Sequence, residues 1–207
     1  MTEASEEEQE VPLFPLQAVL FPGGLLGLKV FETRHLDLMS ACLREQRPFG
    51  VVALRGERDS HRADAAADFE AVGTLAELVS ADSDRPGILQ VRCRGTQRFR
   101  VRTSRQQGDG LWLAATDAID DDEALAPTEA LTATVRGLAS MIATLKAKNE
   151  APFLKPYRFD DAAWVANRWC EILPISQAAK QKLMELADPM VRLQLVDEYL
   201  RSKGVVS

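Results

Sequence analysis

From Leu131 onward the apolar residues return every three or four positions, and before residue 120 they do so only in one short stretch, Leu36 to Leu43. That change of period constrains the fold more than any other feature, because a helix buries one stripe at a 3.6-residue repeat and a strand alternates at a repeat of two. Leu131, Val135, Leu138, Ile142 and Leu145 predict one long amphipathic helix, ended by Asn149, Pro152 and Pro156. Asp160 is the expected N-cap of a second helix with Val165, Trp169 and Ile172 on its stripe, closed by Pro174. Ser176 caps a third. Asp188 caps a fourth with Pro189 at its first position, and Met190, Leu193, Val196 and Leu200 face inward. Four helices with short links predict a bundle over residues 125–207.

Residues 11–119 read as strands. Pro12, Pro15, Pro22 and Gly23-Gly24 cut the run Val11 to Val30 into short pieces joined by a tight turn. Leu36, Met39, Cys42 and Leu43 mark one inserted helix, with Thr33 as its expected cap and Pro48 as its stop. Phe49–Leu54 and Phe69–Ser80 follow as strands around a polar loop, Arg55 to Asp68. Ala81 to Gly87 is a turn cluster, Gly95-Thr96-Gln97 a second turn, and Gly108-Asp109-Gly110 a third before Leu111 to Ala118. Six or seven strands with frequent turns predict a small closed or half-closed barrel, and the whole an α+β fold.

Charge and targeting signals narrow the setting. The first ten residues hold five acids and no base, which predicts a disordered acidic tail over 1–10. It is the opposite of a secretory start, and no run approaches the roughly 20 apolar residues of a membrane span, so a cytoplasmic protein without membrane association is expected. The formal charge is −6, almost all of it from the tail, so the body gives no global pull on nucleic acid. Cys42, Cys93 and Cys170 are far apart, form no CxxC, and read as small buried thiols.

Signatures of catalysis are missing. The chain contains no GxxxxGK[ST], GxGxxG or GxSxG, and the Lys203-Gly204 order is reversed. His35 and His61 have no metal-spaced neighbours, and Asp120-Asp121-Asp122 lacks the alternating ligands of a calcium loop and reads as a solvated run. No catalytic residue, metal or cofactor is expected, and ATP is not required.

Two sets of residues point to binding. Arg92, Arg94, Arg98, Arg100 and Arg102 fall on one face of the expected hairpin by strand alternation. Five guanidiniums together call for acids such as Glu70, Glu77 or Asp82, for an anionic protein segment including the chain's own tail, or for phosphates. No aromatic residue interleaves with them, which disfavours a nucleic-acid partner. Phe14, Phe21 and Phe31 are dense for so short a stretch; core is their ordinary place, and a groove for extended apolar peptides the alternative.

Val11-Pro-Leu-Phe-Pro-Leu, Val19-Leu-Phe-Pro-Gly and Val30-Phe-Glu-Thr-Arg-His resemble the start of the Lon protease N-terminal, substrate-binding domain. Phe49-Gly-Val-Val, Val72-Gly-Thr-Leu-Ala-Glu, Gly95-Thr-Gln-Arg-Phe-Arg-Val, Leu173-Pro-Ile-Ser and Asp188-Pro-Met-Val-Arg-Leu continue it in family order. The likeness is greatest to free-standing bacterial members without the ATPase and peptidase. It departs from the family at Leu26-Gly27-Leu28, Thr33 and His35, while Glu32 and Arg34 match the motif and are expected to be structural, with Glu32 pairing an arginine of the hairpin. The resemblance implies a PUA-like pseudo-barrel followed by the helical bundle. It also implies a non-catalytic module for unfolded or extended polypeptides, an adaptor or chaperone-like factor with a separate protease as one candidate recipient. The binding surface is expected near Phe14, Phe31 and the arginines, or between barrel and bundle. The alternative from the same fold class is an RNA-binding module using the arginine hairpin.

Overall fold

A computed structural model describes residues 10–56 and 68–207. The expected acidic tail, apart from Glu10, lies outside them, as do His61 and most of the polar loop.

Six strands form the first half: β1 (Val11–Leu16), β2 (Leu25–Val30), β3 (Phe49–Ala53), β4 (Val72–Arg85), β5 (Ile88–Gln106) and β6 (Trp112–Ala118). Their order is β2-β5-β4-β3-β1-β6, with a further pairing of β5 to β6. The first part of β5 pairs with β2 and its last part with β6, so five strands close into a ring and β2 extends it on one side. β1 and β3 are parallel, and the crossover between them carries β2 and the inserted helix α1 (Thr33–Glu45). Leu38, Met39 and Cys42 of α1 pack with Phe14, Val30, Phe49, Val91 and Cys93 in one apolar cluster, while Leu13, Val52, Phe99 and Ala114 form another on the opposite face of β1 and β3.

Two local readings need correction here. Gly95-Thr96-Gln97 is not a turn: β5 runs unbroken through it. Gly95 is there because the Phe21–Gly24 segment crosses it; a Cβ would run into Phe21 O and stand 3.0 Å from Leu20 Cγ. The Ala81–Gly87 cluster is mostly strand, since β4 continues to Arg85 and only Pro86-Gly87 turn. The start of α1 is also displaced. Glu32 precedes its first residue and makes no side-chain cap bond, because its carboxylate is held by Arg34.

The second half holds α2 (Thr132–Ala147), α3 (Ala162–Ile172), α4 (Gln177–Glu185) and α5 (Pro189–Ser202), after a short 3-10 turn at Glu129–Leu131. Leu131, Leu138, Ile142, Val165, Trp169, Leu193, Val196 and Leu200 form its core. The cap of α3 is Asp161, not Asp160; its carboxylate accepts from Ala163 N at 3.0 Å. Ser176 and Asp188 cap as expected, with Pro189 opening α5. Phe21 and Val72 of the barrel half belong to the same core, so bundle and barrel share one apolar joint. Every residue from Ala162 to Cys170 is buried: α3 is the central helix of the bundle, packed against α2, α4 and α5, while α4 also meets the barrel directly through Gln181, which donates to Val72 O at 2.9 Å.

Candidate functional site

The seam between barrel and bundle closes at one end and opens at the other. At the closed end, Arg98 of β5 is 3% exposed and reaches across to the bundle. It donates to Met184 O at 3.0 Å, Leu186 O at 2.9 Å and Asp122 Oδ1 at 2.7 Å. Arg192 of α5, also buried, donates to Asp122 Oδ2 at 2.6 Å, Asn167 Oδ1 at 3.0 Å and Leu183 O at 2.8 Å, and additionally to Leu186 O. Asp122 thus sits between two guanidiniums with its side chain 8% exposed, contrary to the solvated run expected of three adjacent acids. Burial pulls the Arg98 guanidinium below its usual range, and Asp122 opposes that. Carboxylate and carbonyl acceptors supply the hydrogen bonds that let these charges stay buried.

At the open end lies a cleft of about 450 Å³. Gln17 to Leu20 after β1, Leu25 and Leu26 at the start of β2, and Pro152-Phe153 before α3 form much of it. Glu171 and Ile172 at the end of α3, Ile175, and Gln177 and Lys180 of α4 complete it. The walls are mainly apolar, with a few polar groups, which suits the burial of apolar side chains. Beneath it, Arg168 donates to Pro22 O at 2.9 Å and Glu171 Oε1 at 2.7 Å, which ties the turn before β2 to α3. The Gly23-Gly24 pair is dictated by this contact. Gly23 has φ +72°, and a Cβ on Gly24 would run into Glu171 Oε1. Burial pushes the Glu171 carboxyl up to about 7 against the opposing pull of Arg168. Two nitrogens of Arg168, Nε and Nη1, have no hydrogen-bond partner, and the guanidinium carbon lies 5.8 and 5.9 Å from the Phe153 and Trp164 rings.

The arginines do not share a face. The register sets Ala76 against Gly95 but Thr74 against Arg98, so three residues of β5 span two of β4, and this bulge inverts the alternation. Arg94 stays exposed and pairs with Glu77 at 2.8 Å, and Arg92 is exposed on the same side. Arg98 turns inward to Asp122. Arg100 is exposed toward Glu185, whose carboxyl it helps to lower. A second irregularity follows between Val101 and Thr103, and Arg102 pairs with Asp117 at 2.9 Å. Glu10, the last acid of the tail, pairs with Arg105, not with any of the five.

Phe14 is 8% exposed and stacks on His35 with ring centroids 4.2 Å apart, whereas Phe31 is 65% exposed. Glu32 pairs with Arg34, which also donates to Gly110 O at 3.2 Å; the expected partner from the hairpin is replaced by a local one. The three cysteines are free and buried. Desolvation pushes the Cys93 and Cys170 thiols up to about 12, so neither is a thiolate at neutral pH. Among the described residues no three His, Cys, Asp or Glu gather as a metal site, and no helix is long and apolar enough to cross a membrane. The cleft was not legible as a unit in the sequence; its walls come from separate segments, and only the density of apolar residues between Leu13 and Leu28 hinted at it.

A small barrel joined to a four-helix bundle, with a mainly apolar cleft at their seam, defines a two-part α+β domain. The family model of the ATP-dependent protease La (LON) substrate-binding domain matches residues 10–202, and the chain belongs to that family. Lon protease 2 of Myxococcus xanthus is 28% identical over 94% of this chain, and cereblon of Gallus gallus 26% identical over 75%. The chain spans only 24% and 32% of those two relatives. Among solved structures, a Lon N-terminal domain protein from Xanthomonas campestris superposes with a TM-score of 0.73 at 31% identity, covering 92% of this chain and 98% of that one. The N-terminal domain of Mycobacterium avium complex Lon protease, at 16% identity and TM-score 0.63 over 92% of this chain, shares the fold.

Proposed function

We propose that the protein is a non-catalytic module that holds unfolded or extended polypeptide segments in the cleft between barrel and bundle, as an adaptor or chaperone-like factor. The observation that carries the reading is the cleft itself, with its mainly apolar walls, in a chain of the Lon substrate-binding family. Its chemistry suits the burial of apolar side chains with a few polar contacts and no covalent step. Membership also supports delivery of the bound segment to a protease. Three free, buried cysteines fit a reducing compartment such as the cytoplasm.

The arginines do not favour the RNA reading. Three of the five are committed to carboxylates, Arg94 to Glu77, Arg98 to Asp122 and Arg102 to Asp117, and they are spread over different environments. The test is fluorescence anisotropy with a labelled unfolded polypeptide and, separately, a labelled single-stranded RNA, each at low and moderate salt. Saturable polypeptide binding that survives moderate salt is the expected result, because apolar burial is only weakly screened. RNA binding that falls steeply with salt, with no polypeptide binding, would overturn the reading.

A further inference from the structure

We infer that the bound segment is an extended chain of alternating apolar and acidic residues, added as a strand along the open edge of β2. The inference rests on the polypeptide-binding reading and gives it a binding mode and a substrate class.

β2 pairs with β5 on one side only. Among the described residues, no hydrogen bond reaches the other edge of Leu25–Val30. Half of the N–H and C=O groups of a strand point to each side, so this edge offers a ladder that only an extended backbone satisfies. The cleft touches both Leu25 and Leu26. Successive side chains of a strand point to opposite faces, so a cleft that meets two in a row reaches the strand at its margin and not on one face. Gly27, next along β2, is exposed, and a Cβ there would meet nothing within 4 Å. A second backbone has room to approach at that point.

Charge selects the partner. Lys29 and Arg92 are both exposed on the side of Gly27, since Gly27 lies opposite Arg92 and Lys29 opposite Gln90. Among the described residues no carboxylate pairs with either, whereas Arg94 beside them is taken by Glu77. An added strand with acids on the face of Gly27 and apolar residues on the other meets both cations. The same lysine and the six-residue length discourage pairing of β2 with a second copy of itself.

The experiment titrates the full chain with a labelled peptide alternating valine and aspartate, and with two N-methylated forms, methylated on the valines or on the aspartates. Only one of the two sets of N–H groups can face β2. One form should therefore bind about tenfold or more weaker than the parent, while the other stays close to it. Equal affinity of the two forms, retained or lost together, overturns strand addition. Lys29→Glu combined with Arg92→Glu should weaken the aspartate peptide about tenfold and strengthen its lysine counterpart; no change in either overturns the charge assignment. Binding of an unfolded protein but not of the valine-aspartate peptide rejects this inference and spares the broader reading, whereas binding of neither rejects both.

Discussion

The two ends of the barrel–bundle seam solve the same packing problem in opposite ways. At one end Asp122 draws Arg98 from the barrel and Arg192 from the bundle into a buried knot, completed by Asn167 and by main-chain carbonyls. At the other end the facing surfaces stay apart around about 450 Å³, bridged by Arg168, which pairs with Glu171 and holds the turn before β2, and by Gln177, which donates to Leu54 O at 2.8 Å. The difference separates two jobs. The knot fixes how the halves meet, so the open end keeps its shape without being filled, and a preformed cleft loses less entropy on binding than one that must be assembled.

Breaking the knot should have the largest effect. Asp122→Ala strands two guanidiniums that are nearly inaccessible to water, and removing one partner of a buried pair costs about 3–5 kcal/mol. Urea unfolding should show that loss, with binding at the cleft weakened in proportion. Glu171 comes next. Its carboxyl is raised from an ordinary 4.5 to about 7 by burial, so the folded state holds a proton that the unfolded chain has released. Its contribution is therefore fully present below about pH 4.5 and is lost as the pH rises through about 7. Glu171→Gln should flatten the decline of stability across that window by ~3 kcal/mol, read from urea midpoints at several pH values.

Gly95→Ala tests the crossing of β5 by the Phe21–Gly24 segment. The added methyl has Phe21 O and Leu20 in its way, and overpacking of this kind costs about 1–3 kcal/mol in thermal or urea unfolding. The smallest effect is expected away from the seam: Arg92→Ala, on an exposed strand face, should change stability by less than about 0.5 kcal/mol. A large loss there would mean that the arginine serves the fold and not a partner.

Local chemistry was readable where it is self-contained. Ser176, Asp188 and Pro189 announce helix starts because a cap needs only its own next residues, and the stripe Leu131–Ile142 announces a buried face. Asp161 was missed by one position because Asp160 and Asp161 are equally good caps in sequence. The larger misreadings arise where a distant segment decides the outcome. Gly95-Thr96-Gln97 has the composition of a turn, yet its glycine answers to Phe21, and the bulge beside it turns Arg98 from the exposed face to the buried one. Asp122 looks like its two neighbours until Arg98 and Arg192 arrive from 24 residues earlier and 70 later. Glu171 carried no signal at all, since its burial depends on the turn at Gly23-Gly24.

The central claim is that polypeptide binds at the open end of the seam. Hydrogen–deuterium exchange of the full chain, with and without a saturating unfolded polypeptide, tests it without any substitution. Slower exchange at Leu25–Val30, with Glu171–Lys180 along the cleft wall, is the result expected. Saturated binding with those segments unchanged, and protection confined to the exposed arginines of β5 or to Phe31, would contradict it.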